Sequence, residues 1–213
     1  MKKLGLLIAT AFLLVACQSA YYEAAEKVGV HKRDILVDRV ENARDSQADA
    51  EEQFQSAQEQ LLALIDFDGG DLQDVYEDLN DEYEDSVDAA EEVSSRIAAI
   101  EDVAEALFDE WEEEIEEYTN ATFKADSKRK LRETQSRYNG LLKSLKKSEA
   151  RMDPVLAALK DNVLYLKHNL NASAVASLKV EFGKIDKDIT ALIAEMRKSI
   201  AQSDAFIESM QAS

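Results

Sequence analysis

LRETQSRYNGLLKSLKKSEARMDPVLAALKDNVLYLKHNL, residues 131–170, carries a hydrophobic repeat of 3.5 residues. Steps of four and three in alternation return Leu131, Gln135, Tyr138, Leu142, Leu145, Glu149, Met152, Leu156, Leu159, Val163, Leu166 and Leu170, ten of the twelve apolar. A period below 3.6 is the mark of a helix that lies along partner helices and buries a narrow stripe. At ~1.5 Å per residue the stretch runs roughly 60 Å, and no helix buries such a stripe on itself. Matching rods must come from the rest of the chain.

Three more seams supply them. Residues 31–65 carry Leu36, Val40, Ala43, Gln47, Ala50, Phe54, Ala57, Leu61 and Leu64, eight of nine apolar, and the alanines imply close helix approach. Residues 71–118 carry Leu72, Tyr76, Leu79, Tyr83, Ser86, Ala90, Val93, Ile97, Ile100, Ala104, Leu107 and Trp111, eleven of twelve apolar. After Trp111 the register slips towards Ile115 and Tyr118. Residues 173–211 carry Val175, Leu178, Phe182, Ile185, Ile189, Leu192, Met196, Ser199, Ser203, Phe206 and Met210, with Ile193, Ile200 and Ile207 widening the stripe. The third rod spans about 124–170.

The joints are short. Asp66-Phe67-Asp68-Gly69-Gly70-Asp71 permits a sharp reversal, and Asp71 suits the N-cap that follows. Ser173 is the N-cap expected for the last rod. Asp153-Pro154 reads as a kink in a continuous rod, because the seam passes it without losing register. The chain has six glycines and one proline, too little turn chemistry for an all-β or α/β fold. The expected fold is all-α, an elongated antiparallel four-helix bundle of coiled-coil hairpins, with 31–213 as one domain.

Charge divides the chain. Residues 18–118 hold 33 Asp and Glu against 6 Lys and Arg, whereas residues 119–213 hold 11 against 17. Opposite signs predict two hairpins that attract. The second rod ends on Asp109, Glu110, Glu112, Glu113, Glu114, Glu116 and Glu117, and the third begins with Lys124, Lys128, Arg129, Lys130 and Arg132. Each run has the wrong sign for its helix terminus. Across a tight hairpin they offset one another. A lipid-headgroup or nucleic-acid patch is the sharper reading of the basic run, and the adjacent acids argue against it.

Residues 1–16 read as a signal peptide: Lys2 and Lys3 precede an apolar run from Leu4 to Val15, too brief to span a bilayer. The run ends Leu14-Val15-Ala16-Cys17, which resembles the lipobox of bacterial lipoproteins. That resemblance implies cleavage before Cys17 and lipid on its sulfur and new amino terminus. Cys17 is the single cysteine, so no intramolecular disulfide is possible. Gln18 stands where the enteric inner-membrane retention residue is Asp, which favours the outer membrane. Residues 17–30 form a tether, in which Tyr21 and Tyr22 either rest at the membrane interface or belong to a plain linker.

Catalytic patterns are missing. His31 and His168 fall at opposite ends of the rods, no E-x-x-H spacing occurs, and phosphate-loop, dinucleotide and nucleophile-elbow motifs are absent. The carboxylates lie on solvated helix faces. No enzyme, no cofactor and no nucleic-acid partner is expected. One metal frame is half present: Asp66, Asp68, Asp74 and Glu77 occupy positions 1, 3, 9 and 12 of an EF-hand-like loop. Gly70 and Asp71 depart from it at positions 5 and 6.

The stretches at 26–40, 67–72 and 165–171 (EKVGVHKRDILVDRV, FDGGDL and YLKHNLN) resemble an uncharacterised family of helical, lipoprotein-like bacterial proteins, chiefly of Gammaproteobacteria, under a domain-of-unknown-function label. The resemblance implies an address and no activity. The expectation is a non-catalytic, lipid-anchored envelope protein facing the periplasm, a helical spacer or adaptor for an unknown envelope partner. The alternative is a ligand-binding module, with calcium at residues 66–77 or an apolar ligand between the hairpins. A gap in the core at Ala43, Ala50 and Ala57 would favour that apolar ligand.

Overall fold

The computed structural model describes residues 22, 29–66, 69 and 71–212. Among the described residues the bounded helices are α1 (Lys32–Ile65), α2 (Leu72–Glu117), α3 (Ala121–Glu149), α4 (Met152–His168) and α5 (Ala172–Gln211). The molecule is all-α, with helices packed on one another as the seams require.

Short polar side chains set the helix starts. Asp71 accepts from the Gln73 amide (2.9 Å) at the head of α2. Asn120 accepts from the amides of Thr122 and Phe123, so α3 begins before Lys124. At α5 the cap is Asn171, whose Oδ1 takes the amides of Ser173 (3.0 Å) and Ala174 (3.1 Å), in place of the expected Ser173. Gly29 turns the chain into α1 at φ +85°, a conformation other residues rarely adopt.

The third rod is not continuous. α3 stops at Glu149 and α4 starts at Met152, with Arg151 N donating to Ser148 O (3.1 Å) across a tightened turn. Pro154 explains the place: it has no amide to offer the carbonyl of Ala150, and its ring crowds that carbonyl. Arg151 keeps a right-handed backbone (φ −89°, ψ −14°), so the stripe carries on across the break.

That stripe is also phased differently from the expectation. The buried positions are Leu131, Thr134, Tyr138, Leu141, Leu145, Ser148, Met152, Val155, Leu159, Asn162 and Leu166, steps of three and four, with Val163 beside them. Gln135, Leu142, Glu149 and Leu156 are half-buried, and Leu170 is exposed. Four of the twelve expected positions, Gln135, Leu142, Glu149 and Leu156, therefore lie one residue past the buried one. On α1 all nine seam residues are buried, and on α5 only Phe182 of the eleven is not. On α2 the run from Ser86 to Leu107 is buried, while Leu72, Tyr76, Tyr83 and Trp111 are half-buried and Ile115 takes up the slipped register.

The described residues fall into two compact units. One comprises Ala99–Gln135 with the described residues up to Arg39. Its core includes Ile35, Leu36, Ile100, Leu107, Ile115 and Leu131, and it is pinned by Lys32 on Glu110 (2.7 Å) and by Trp111 Nε1 donating to Ser127 (2.9 Å). The other comprises Val40–Ala98 with the residues from Ser136 on. Phe54, Leu61, Ile97, Leu145, Leu159, Leu192 and Phe206 fill its core. In it α1 pairs antiparallel with α2, through Ser56 to Glu82 and Gln60 to Asp78, and with α5, through Arg44 to Asp204 and Arg197 to Glu51.

Candidate functional site

Cys17 lies outside the described residues, as does Tyr21. Tyr22 is described, and it is a core residue with 7% of its surface exposed. Its ring is buried rather than presented to solvent. No helix among the described residues is long and apolar enough to cross a membrane.

At the α1–α2 joint, Asp66, Asp74 and Glu77 are exposed, and Asp68 lies outside the described residues. Asp71 spends its carboxylate on the α2 cap, and Glu77 accepts from the Gln73 side chain (2.6 Å). The described residues contain no group of three His, Cys, Asp or Glu able to hold a metal ion. His31 and His168 are both exposed, in different units.

The charge runs meet only in part. Glu116, near the end of α2, takes Lys124 (2.8 Å) and Lys128 (3.0 Å) from α3. Those hydrogen bonds, Lys124 first, hold its carboxyl below the usual glutamate range. Two more members of the basic run, Arg129 and Lys130, are held within α3. Arg129 pairs with Asp126 (2.6 Å) and Glu133 (2.9 Å), and Lys130 also reaches Asp126 (3.6 Å), all within α3. The Arg129 hydrogen bond lowers the Asp126 pKa. Spacings of three and four residues explain the preference, since such neighbours share a helix face.

In the second unit a groove of about 740 Å³ runs between α4 and α5 past Ala158, Tyr165 and Val180. A second, of about 670 Å³, lies between α1 and α5 beside Leu62 and Ile193. Ala43, Ala50 and Ala57 line neither; all three are fully buried in the α1 seam. Seven polar side chains are buried among the described residues: Gln47, Ser86, Thr134, Ser148, Asn162, Ser199 and Ser203. Gln47, Ser86, Ser199 and Ser203 stood out in the sequence as the polar exceptions in otherwise apolar seams. Thr134, Ser148 and Asn162 were hidden by the phase of the third.

A family model described as "Protein of unknown function (DUF2959)" matches residues 21–210. The chain belongs to this family. The DUF2959 match takes in every described helix except the last residue of α5, together with buried Tyr22, and begins past Cys17. No curated protein and no solved structure matches the chain.

Proposed function

We propose that the chain is a non-catalytic, lipid-anchored protein of the bacterial envelope, a helical spacer or adaptor that faces the periplasm and serves another envelope component. The observation that carries this reading is Leu14-Val15-Ala16-Cys17 behind a basic and then apolar segment. Acyl chains on the sulfur and on the new amino terminus give the two signals that stable anchoring requires. Gln18 favours the outer membrane over the inner. The helices behind the anchor present strongly charged faces: Asp49, Glu52 and Glu59 on α1 are exposed, as are Glu91 and Glu92 on α2. Carboxylates in such positions are solvated charges that recognise a partner and are poor general acids.

Labelled palmitate fed to cells is the direct test. The wild-type chain should take up label and fractionate with outer membranes, and Cys17→Ser should lose the label and leave an uncleaved or soluble species. Labelling unchanged in Cys17→Ser removes the anchor from the proposal. The adaptor half is tested by crosslinking in living cells followed by mass spectrometry. A recurrent envelope protein is expected, and recovery of the chain with itself alone would sink that half.

A further inference from the structure

The core of the second unit is interrupted by polar groups. Arg44 with Asp204 (3.3 Å) and Glu51 with Arg197 (2.7 Å) tie α1 to antiparallel α5 at two heights. Between the ties lie Gln47 on α1 and Ser199 and Ser203 on α5, all at 0% exposure. Ser86 of α2, equally buried, stands one turn from Glu82, which accepts from Gln53 (2.7 Å) and Ser56 (2.7 Å) of α1.

Two of these groups satisfy themselves. Ser86 donates to Glu82 O (2.7 Å) and Ser203 to Ser199 O (3.1 Å), each bonding back along its own helix. Gln47 does not: neither the nitrogen nor the oxygen of its amide has a protein partner, and the Ser199 hydroxyl has none either. A primary amide brings two donors and an acceptor, and natural interiors rarely leave such groups unmet.

We propose that internal water occupies this level of the core and bridges the Gln47 amide to the Ser199 hydroxyl, with Ser86 and Ser203 lending their remaining lone pairs. The chemistry of the walls selects water. No charged side chain is buried among the described residues, so an ion finds no counter-charge there. An apolar guest would leave the amide unmet. Ala43 and Ala50, one turn to either side of Gln47 on the same buried stripe, end at Cβ and bring no polar group that could meet the amide. This inference concerns the core and stands whatever becomes of the lipid anchor.

The test is heteronuclear NMR on protein labelled with ¹⁵N in its glutamine side chains. The Gln47 amide protons should show cross-relaxation to water with the sign of a long-lived bound molecule, and Ser199→Ala should weaken that signal. A thermodynamic cycle of Gln47→Leu and Ser199→Ala should show coupling of about fivefold or more in the unfolding equilibrium constant, although no hydrogen bond joins the two side chains. No water signal at Gln47, or a signal and a cycle that both ignore Ser199→Ala, overturns the proposal. Should Gln47→Leu fail to fold, the water signal in wild type and Ser199→Ala decides alone.

Discussion

Glu116 shows how much one exposed carboxylate can report. Its pKa is depressed by hydrogen bonds from Lys124 and then Lys128, so the folded state holds the charged form more tightly than the unfolded chain does. The sign follows: the contribution to stability is present above the ordinary glutamate value of 4.5 and is lost as pH falls through the lower folded value. Replacing both lysines with alanine should return Glu116 to the ordinary range in an NMR pH titration. The small difference in melting temperature between variant and wild type should exist at neutral pH, shrink in high salt and vanish in acid. A Glu116 titration curve that ignores the double substitution would refute the pairing. Arg129→Ala should leave Glu116 unmoved, because Arg129 is engaged with Asp126 and Glu133. Composition announced opposed charge runs at this turn. It did not reveal that Asp126 and Glu133 would take Arg129 for α3 itself.

At the scale of the element, the third rod separates what periodicity decides from what it leaves open. Steps of four-three and of three-four have the same mean, and both pass through Leu131, Tyr138, Leu145, Met152, Leu159 and Leu166. They differ at the alternate positions, where the sequence offers neighbouring apolar residues, Leu141 with Leu142 and Val155 with Leu156. The buried members are Leu141 and Val155, and Thr134, Ser148 and Asn162 complete the stripe against the expectation that a core position is apolar. On α1 no such pairs compete, and the reading held at all nine positions. Leu159 belongs to both phases and is fully buried, so Leu159→Ala should cost ~2–5 kcal/mol in denaturant melts through lost transfer energy and a cavity. Lys160→Ala, one residue on and exposed, should stay within ~0.5 kcal/mol. The phase itself is tested by Val155→Ala against Leu156→Ala. The smaller side chain should be the costlier loss, since Val155 is 1% exposed and Leu156 only half-buried. Equal losses at 159 and 160, or a dominant loss at Leu156, would move the core off this stripe.

At the scale of the whole molecule, an all-helical chain was legible in the sequence, and its division into two compact units was not. The boundaries fall at Arg39–Val40, Ala98–Ala99 and Gln135–Ser136, each inside a helix. No glycine or proline marks them, because the helix backbone is continuous there. The visible break lies elsewhere, at Ala150–Arg151, and it bears on how the native state opens. Pro154 contributes no amide proton to the ladder, so the hydrogen-bonded cooperativity of α3 is not passed on to α4, a helix of only 17 residues. Native-state hydrogen exchange should register this as two protection levels along one rod. Amides from Val155 to Leu166 should exchange through a partial opening that leaves Leu131–Glu149 closed, and the two segments should merge only when denaturant brings global unfolding within reach.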